Sequence, residues 1–219
     1  MCSLHDRVIV IEDDLDTSVG FLAYLNSALA RYEQHERVMQ VSGHCFPARG
    51  FETSEGCSFL PFTTTLGWGT WARAWRHFDW DMTGIEEVYT NSELRRRFEI
   101  DGAYPYLRLL KRLQSSRESY RSWGLRWHWS VLKRDGVVLY PHRTLVSHFG
   151  SDDTGTNVRG VQLPVDVLFE RRNQIREWPK VVAVDMRFYA AVRRYLAAQQ
   201  SLWSRGHRFL RRVLLRPWQ

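Results

Sequence analysis

Cysteine is scarce in this chain: Cys2, Cys45 and Cys57 are the only ones among 219 residues. Their spacing fits no metal-ligand pattern, and no secretion signal precedes them. That excludes a disulfide-stapled extracellular scaffold and reads as reduced thiols in a cytoplasmic setting. Long apolar runs are also absent, so no membrane-spanning helix is expected. Internal repeats and low-complexity tracts are lacking, which excludes a solenoid. Lysine is confined to Lys111, Lys133 and Lys180, so arginine carries nearly all of the formal net charge of +7, much of it after residue 170. Such a balance favours anionic partners, namely nucleotide phosphates, an acidic membrane surface or nucleic acid. No recognised nucleic-acid-binding module accompanies the charge, and a nucleic-acid partner is not expected.

What is present suits a folded domain. Hydrophobic residues make up 44% and charged residues 25%, which at this length supports a real core in one large domain or two small ones. The ten tryptophans serve a core or a sugar-binding surface equally well. The organising stretch is Arg7-Val8-Ile9-Val10-Ile11-Glu12-Asp13-Asp14. Its β-branched run reads as a strand buried on both faces of a parallel α/β sheet, and ligands of such sheets bind beyond the carboxyl ends of the strands. Three adjacent carboxylates there repel one another unless a cation lies among them, and Mg2+ or Mn2+ takes oxygen ligands together with substrate phosphates. The alternative is a plain acidic turn leading into a helix. A central strand needs neighbours on both sides, and only a short polar lead precedes this one. Either later strands fill both sides or the chain is a piece of a larger domain.

Further along, Thr17 and Ser18 are candidate caps for a helix whose stripe is Phe21, Leu22, Leu25, Leu29 and Tyr32. Val38–Ser42 reads as a strand, and residues 44–55 as a surface loop. The glycines on either side of Trp68 predict a tight backbone passage rather than a regular strand, leaving Trp68 to stack on a ligand, whereas Trp71 and Trp75 read as core. Helices are predicted over Ser92–Phe98, with Asn91 or Ser92 as cap, through Leu107, Leu110 and Leu113, and over Ser122–Lys133. Val137–Tyr140 reads as a strand after the Asp135-Gly136 break. The segment from His148 to Asn157 is rich in glycine and small polar residues, suited either to phosphate contact through backbone N–H groups or to a simple connection. After residue 170 two segments alternate arginine with apolar residues. They read as basic amphipathic helices, lying on an anionic membrane or docked on their own domain.

Taken in order, Glu12-Asp13-Asp14 with Ser18-Val19-Gly20-Phe21-Leu22, then Trp68-Gly69-Thr70-Trp71, Ser122-Trp123-Gly124-Leu125-Arg126-Trp127 and His148-Phe149-Gly150 through Gly155-Thr156-Asn157 resemble the second half of bacterial glycosyltransferases of the GT-A fold. These are similar to eukaryotic N-acetylglucosaminyltransferase I. The likeness spans about residues 7–160. It implies an α/β fold, a partial GT-A domain with a mixed sheet flanked by helices and without the N-terminal nucleotide-binding part. The expected division is 1–165 for the acceptor and metal half and 166–219 for a basic helical tail. The resemblance further implies transfer of a sugar from a nucleotide-diphospho-sugar donor to a hydroxyl of a carbohydrate or lipid-linked acceptor, with inversion, at a DXD-like Mn2+ or Mg2+ site. Asp14 and His148 are the metal candidates. Glu12, Asp13, Trp68, Gly155 and Thr156 are the donor-binding candidates. Relatives often carry Asp immediately before the Ser-Trp pair, where this chain has Arg121; a guanidinium cannot serve as a base. Glu118 and Asp101 are the substitutes, with solvated surface acids as the alternative for each. Without the N-terminal part, weak donor binding or none is expected. The competing function is a non-catalytic remnant or interaction module that binds an anionic membrane surface, peripheral at the inner membrane, through its basic tail.

Overall fold

A computed structural model describes residues 4–115, 122–148 and 169–214, with side chains except at 148 and 201–214. The chain enters through β1 (Arg7–Val10), turns through the three carboxylates into the short β2 (Leu15–Thr17), and then forms α1 (Phe21–Arg31). β3 (Val38–Ser42), β4 (Cys57–Leu60) and β5 (Trp68–Trp71) follow. A helical section comprises α2 (Ala72–Trp75), α3 (Glu87–Thr90), α4 (Ser92–Phe98), α5 (Tyr106–Ser115) and α6 (Trp123–Leu132). The chain returns to the sheet as β6 (Val137–Pro141), passes through β7 (Val146–His148) and ends in α7 (Met186–Leu214).

Five strands form one mixed sheet in the order β1-β5-β3-β6-β4, and β2 pairs with β7 in a separate two-stranded sheet. The parallel pair is β3 with β6, in a register that sets Val41 opposite Leu139. Every residue of both strands is buried, as a parallel pair covered on both faces requires. An α/β fold with a mixed sheet flanked by helices is therefore present. The place of β1 differs from expectation. It is an edge strand, antiparallel to β5, with Arg7 exposed and Val8, Ile9 and Val10 half-buried. Among the described residues no strand pairs with its outer edge. A β-branched run records the need for apolar neighbours, and here packing against the core meets part of that need without a second flanking strand.

The segment around Trp68 is a regular strand and not an irregular passage. Gly69 sits opposite both Ile9 of β1 and Val41 of β3, and a Cβ there would lie 3.2 Å from both Leu29 Cδ1 and the Val8 carbonyl oxygen. The glycine thus serves close packing within a strand. The buried stripe of α1 is Phe21, Tyr24, Leu25, Ala28 and Leu29. Leu22 lies one position round the helix and stays exposed. Neither Thr17 nor Ser18 caps α1 by its side chain. Thr17 belongs to β2, and the cap position is Gly20. At the other end, Arg73 closes the helix by donating to the carbonyls of Tyr32 (2.9 Å) and Glu33 (2.6 Å), which supplies donors to terminal carbonyls that lack partners within the helix.

Gly43, just past β3, shows how tightly α1 is seated. A Cβ at this position would lie 2.3 Å from Phe21 Cε2 and 2.7 Å from the Gly67 carbonyl oxygen. Gly43→Ala is expected to cost about 1–3 kcal/mol through overpacking, or roughly 2–12 °C in melting temperature. A melt within one degree of the parent would mean that α1 moves aside freely.

A second apolar cluster, with Phe98, Leu110, Leu125 and Trp129 at its centre, lies among the helices from α3 to α6. Two of these helices start where capping chemistry places them. The Asn91 side chain accepts from Leu94 N (3.0 Å), and Ser122 Oγ accepts from Leu125 N (3.3 Å). The two basic segments after residue 170 prove to be one helix, α7. Asp185 opens it by accepting from the backbone N–H of Arg187 and of Phe188, each at 3.0 Å. Phe188, Val192 and Leu196 of α7 enter the main core, and residues 177 and 184 form bridges to Gly56 and Phe59. The docked turns of α7 thus share a core with the strands that precede residue 166.

Candidate functional site

The acidic turn is shaped by its two ends. β1 delivers Glu12 to the sheet edge, and Leu15 N donates to the Glu12 carbonyl (3.3 Å) to close the turn. β2 then pairs antiparallel with β7, setting Leu15 opposite His148, Asp16 opposite Ser147 and Thr17 opposite Val146. The backbone of His148 is thereby carried to within one residue of Asp14 in the strand register, although the two lie far apart in sequence. Glu12 and Asp14 are half-buried and Asp13 is exposed. The side chain of His148 lies outside the described residues.

Leu145, just before β7, and Arg171 also lie at this place. Ser18 N donates to the Leu145 carbonyl (2.9 Å) and Val19 N to the Arg171 carbonyl (3.0 Å). The Arg171 guanidinium donates to Asp16 Oδ2 (2.9 Å). Asn173, buried, donates from Nδ2 to the carbonyls of Arg143 and Thr144, both at 3.3 Å. The nearly buried Arg143 pairs with Glu170 at 3.0 Å. Residues 149–168, with the donor-binding candidates Gly155 and Thr156, are outside the described residues, but both flanks of that segment are fastened beside the acidic turn. Arg143, Arg171 and Asn173 were not legible as site-building residues, because each acts through a long-range contact that no local pattern marks.

Among the described residues, no three His, Cys, Asp or Glu side chains are placed to hold a metal ion by themselves. The donors at the turn are carboxylate oxygens of three consecutive residues, the hard ligands that Mg2+ and Mn2+ prefer. Such ions commonly complete their shells with water and substrate phosphates rather than with a full protein cage.

Two expectations need correction. Trp68 is 3% exposed, stacked on Trp123 with centroids 5.5 Å apart and 5.9 Å from Trp75. Its ring is part of the core and offers no free face to a donor. The glycines that suggested ligand access instead allow neighbouring strands to close in. Asp101, a candidate base, is held by two guanidiniums, with Arg96 at 2.5 Å and Arg193 at 3.3 Å. It ties α4 to α7. It occupies a left-handed stretch with φ of +51° at Ile100, +52° at Asp101 and +76° at Gly102, a conformation uncommon for a β-branched residue such as Ile100. Glu118, the other candidate base, lies outside the described residues.

No protein-family model and no curated protein matches this chain.

Proposed function

We propose that the chain is a metal-dependent glycosyltransferase that moves a sugar from a nucleotide-diphosphate donor to an acceptor hydroxyl with inversion. The observation that carries the reading is the meeting of β2 and β7. It brings the Glu12-Asp13-Asp14 turn, the backbone of His148 and both flanks of the glycine-rich loop to one place. The mixed sheet flanked by helices is compatible with the partial GT-A domain that the sequence motifs resemble.

In this reading Asp14 holds a Mn2+ or Mg2+ ion, and Glu12 and Asp13 lie toward the ribose and phosphates. When bound, the ion neutralises charge developing on the leaving diphosphate. The acceptor oxygen attacks the anomeric carbon, the bond from that carbon to the diphosphate oxygen breaks, and the acceptor proton passes to a carboxylate. With Asp101 engaged by Arg96 and Arg193, Glu118 is the base this proposal names. Gly155 and Thr156, outside the described residues, are the further donor-binding residues this reading names.

The test is thermal stability with Mn2+ and a panel of nucleotide-diphospho-sugars. For weak binding at about ten times Kd, linkage gives roughly 1.4 kcal/mol of stabilisation, a rise of about 3–6 °C. Asp14→Asn should abolish the rise while leaving the melt without ligand within a degree or two. A donor-dependent rise of the same size in the Asp14→Asn variant would remove the sugar-transfer reading.

A further inference from the structure

The last helix carries a feature that sugar transfer does not use. At 1.5 Å per residue, the 29 residues of α7 extend about 43 Å. Its first turns are docked: Phe188, Ala191, Val192 and Leu196 are buried in the main core. Near the end of the docked part, Gln200 donates to the Ala103 carbonyl (2.6 Å). From there the helix runs on to Leu214. At 100° per residue, Leu202, Trp203, Phe209, Leu210, Val213 and Leu214 occupy positions that continue the docked stripe in unbroken register. Arg205, Arg208, Arg211 and Arg212 occupy the opposite side. Every acidic or basic residue after Asp185, histidine aside, is an arginine.

We propose that residues 202–214 of α7 form a membrane-surface helix that lies on an anionic bilayer, continuing the stripe whose first turns dock on the domain. Charge decides the occupant. A stretch with arginines and no carboxylate repels a second copy of itself, whereas an anionic leaflet attracts each guanidinium. An apolar stripe bearing Trp203 and Phe209 beside an arginine-rich side is the composition of helices that sit at the headgroup boundary. Among the described residues no helix is long and apolar enough to cross a membrane, so this one lies on the surface. The docked turns hold the domain at that surface. The inference is independent of the sugar-transfer reading and stands if that reading fails.

Co-sedimentation of the full chain with phosphatidylcholine vesicles, with and without phosphatidylglycerol, tests it. Binding should require the anionic lipid and weaken as salt rises, because screening shortens the reach of the charges. Each arginine near the surface contributes about a fivefold factor, so a variant with Arg205, Arg208, Arg211 and Arg212 all changed to Glu should lose at least about a hundredfold in partitioning. Leu210→Asp, which keeps every arginine, should also release the protein. Both variants should melt within a few degrees of the parent, because the docked turns are untouched. Equal binding to neutral vesicles, retention of binding by the charge-reversed variant, or no binding to anionic vesicles each overturns the proposal. So does self-association that Leu210→Asp abolishes without any vesicle binding, or single-stranded nucleic acid displacing the protein from vesicles at lower concentration than the lipid.

Discussion

Replacing Trp127 by alanine is expected to destabilise the fold by about 3–5 kcal/mol, a large part of the roughly 5–15 kcal/mol available to a domain. The indole is fully buried in α6, with ring centroids 5.0 Å from Trp75 and 6.4 Å from Trp68. Its Nε1–H donates to Gln40 Oε1 at 2.7 Å. Gln40 is itself fully buried in β3 and donates onward to the Thr64 carbonyl. Truncation therefore opens a cavity and also leaves a buried amide oxygen without its donor, and the two costs add. At about 2–4 °C per kcal/mol, melting should fall by roughly 6–20 °C. Trp127→Phe separates the causes, since it fills most of the volume but removes the N–H, and should cost about 1–3 kcal/mol. A Trp127→Ala loss below about 1 kcal/mol in urea titration would mean that the aromatic cluster repacks around the gap.

Acidification from pH 7 to pH 5 should destabilise the protein through its buried histidines. His44, His128 and His142 are each lowered from the ordinary 6.5 to about 4, first by burial, which disfavours the charged ring. Neither ring nitrogen of His44 has a hydrogen-bond partner among the described residues. His128 Nε2 donates to the Phe98 carbonyl (3.1 Å), and the ring stacks on Tyr106. His142 belongs to a chain of polar contacts. Ser58 Oγ donates to Asp185 Oδ2 (2.8 Å), which leaves its oxygen to accept from His142 Nε2–H (2.8 Å), and Nδ1 in turn accepts from Ser54 Oγ (2.7 Å). That network is satisfied by the neutral ring and joins β4 and β6 to the start of α7. Asp185 acts in the same direction. Burial opposes its ionisation, but donors from Phe188 N, Ser58 and Arg187 N, with His142 nearby, hold its carboxyl below the usual range.

A lowered histidine pKa means that the unfolded chain takes up a proton the folded chain refuses, so stability is complete above pH 6.5 and falls as pH drops from there toward 4. His44 and His128 together should lose on the order of 4 kcal/mol between pH 7 and pH 5, equivalent to about 8–16 °C, and the partly exposed His142 adds less. His44→Leu should flatten the profile over the same window. Melting that is constant or rises on going from pH 7 to pH 5 would show that these rings bind their protons in the folded state.

Short-range signals were legible where the chemistry is short-range. Asn91 and Ser122 cap α4 and α6 because a side-chain oxygen reaches an N–H three residues on, whatever lies farther away. The buried strands β3 and β6 follow from apolar runs next to turn residues. The candidate site was only half legible. Three consecutive carboxylates announce themselves, but the pairing that sets Leu15 opposite His148, and the fastening of Asp16 by Arg171, join residues more than a hundred positions apart. Asp101 read as a free acid because sequence carries no mark of Arg193, 92 positions away, folding back on α7 to hold it.

The sequence by itself determined where α1, α4 and α6 and the strands β1, β3 and β6 form, that the first strand ends in an acidic turn, and that the segments after residue 185 pair apolar residues with arginines. Those properties depend on neighbours within a turn or two. Tertiary structure alone decided that β1 lies at an edge, that Trp68 is core, and that two basic segments become one helix docked by its first turns. The physical reason is that burial is a property of a pair of surfaces. An apolar side chain specifies that it must be covered, and only the assembled fold specifies by what.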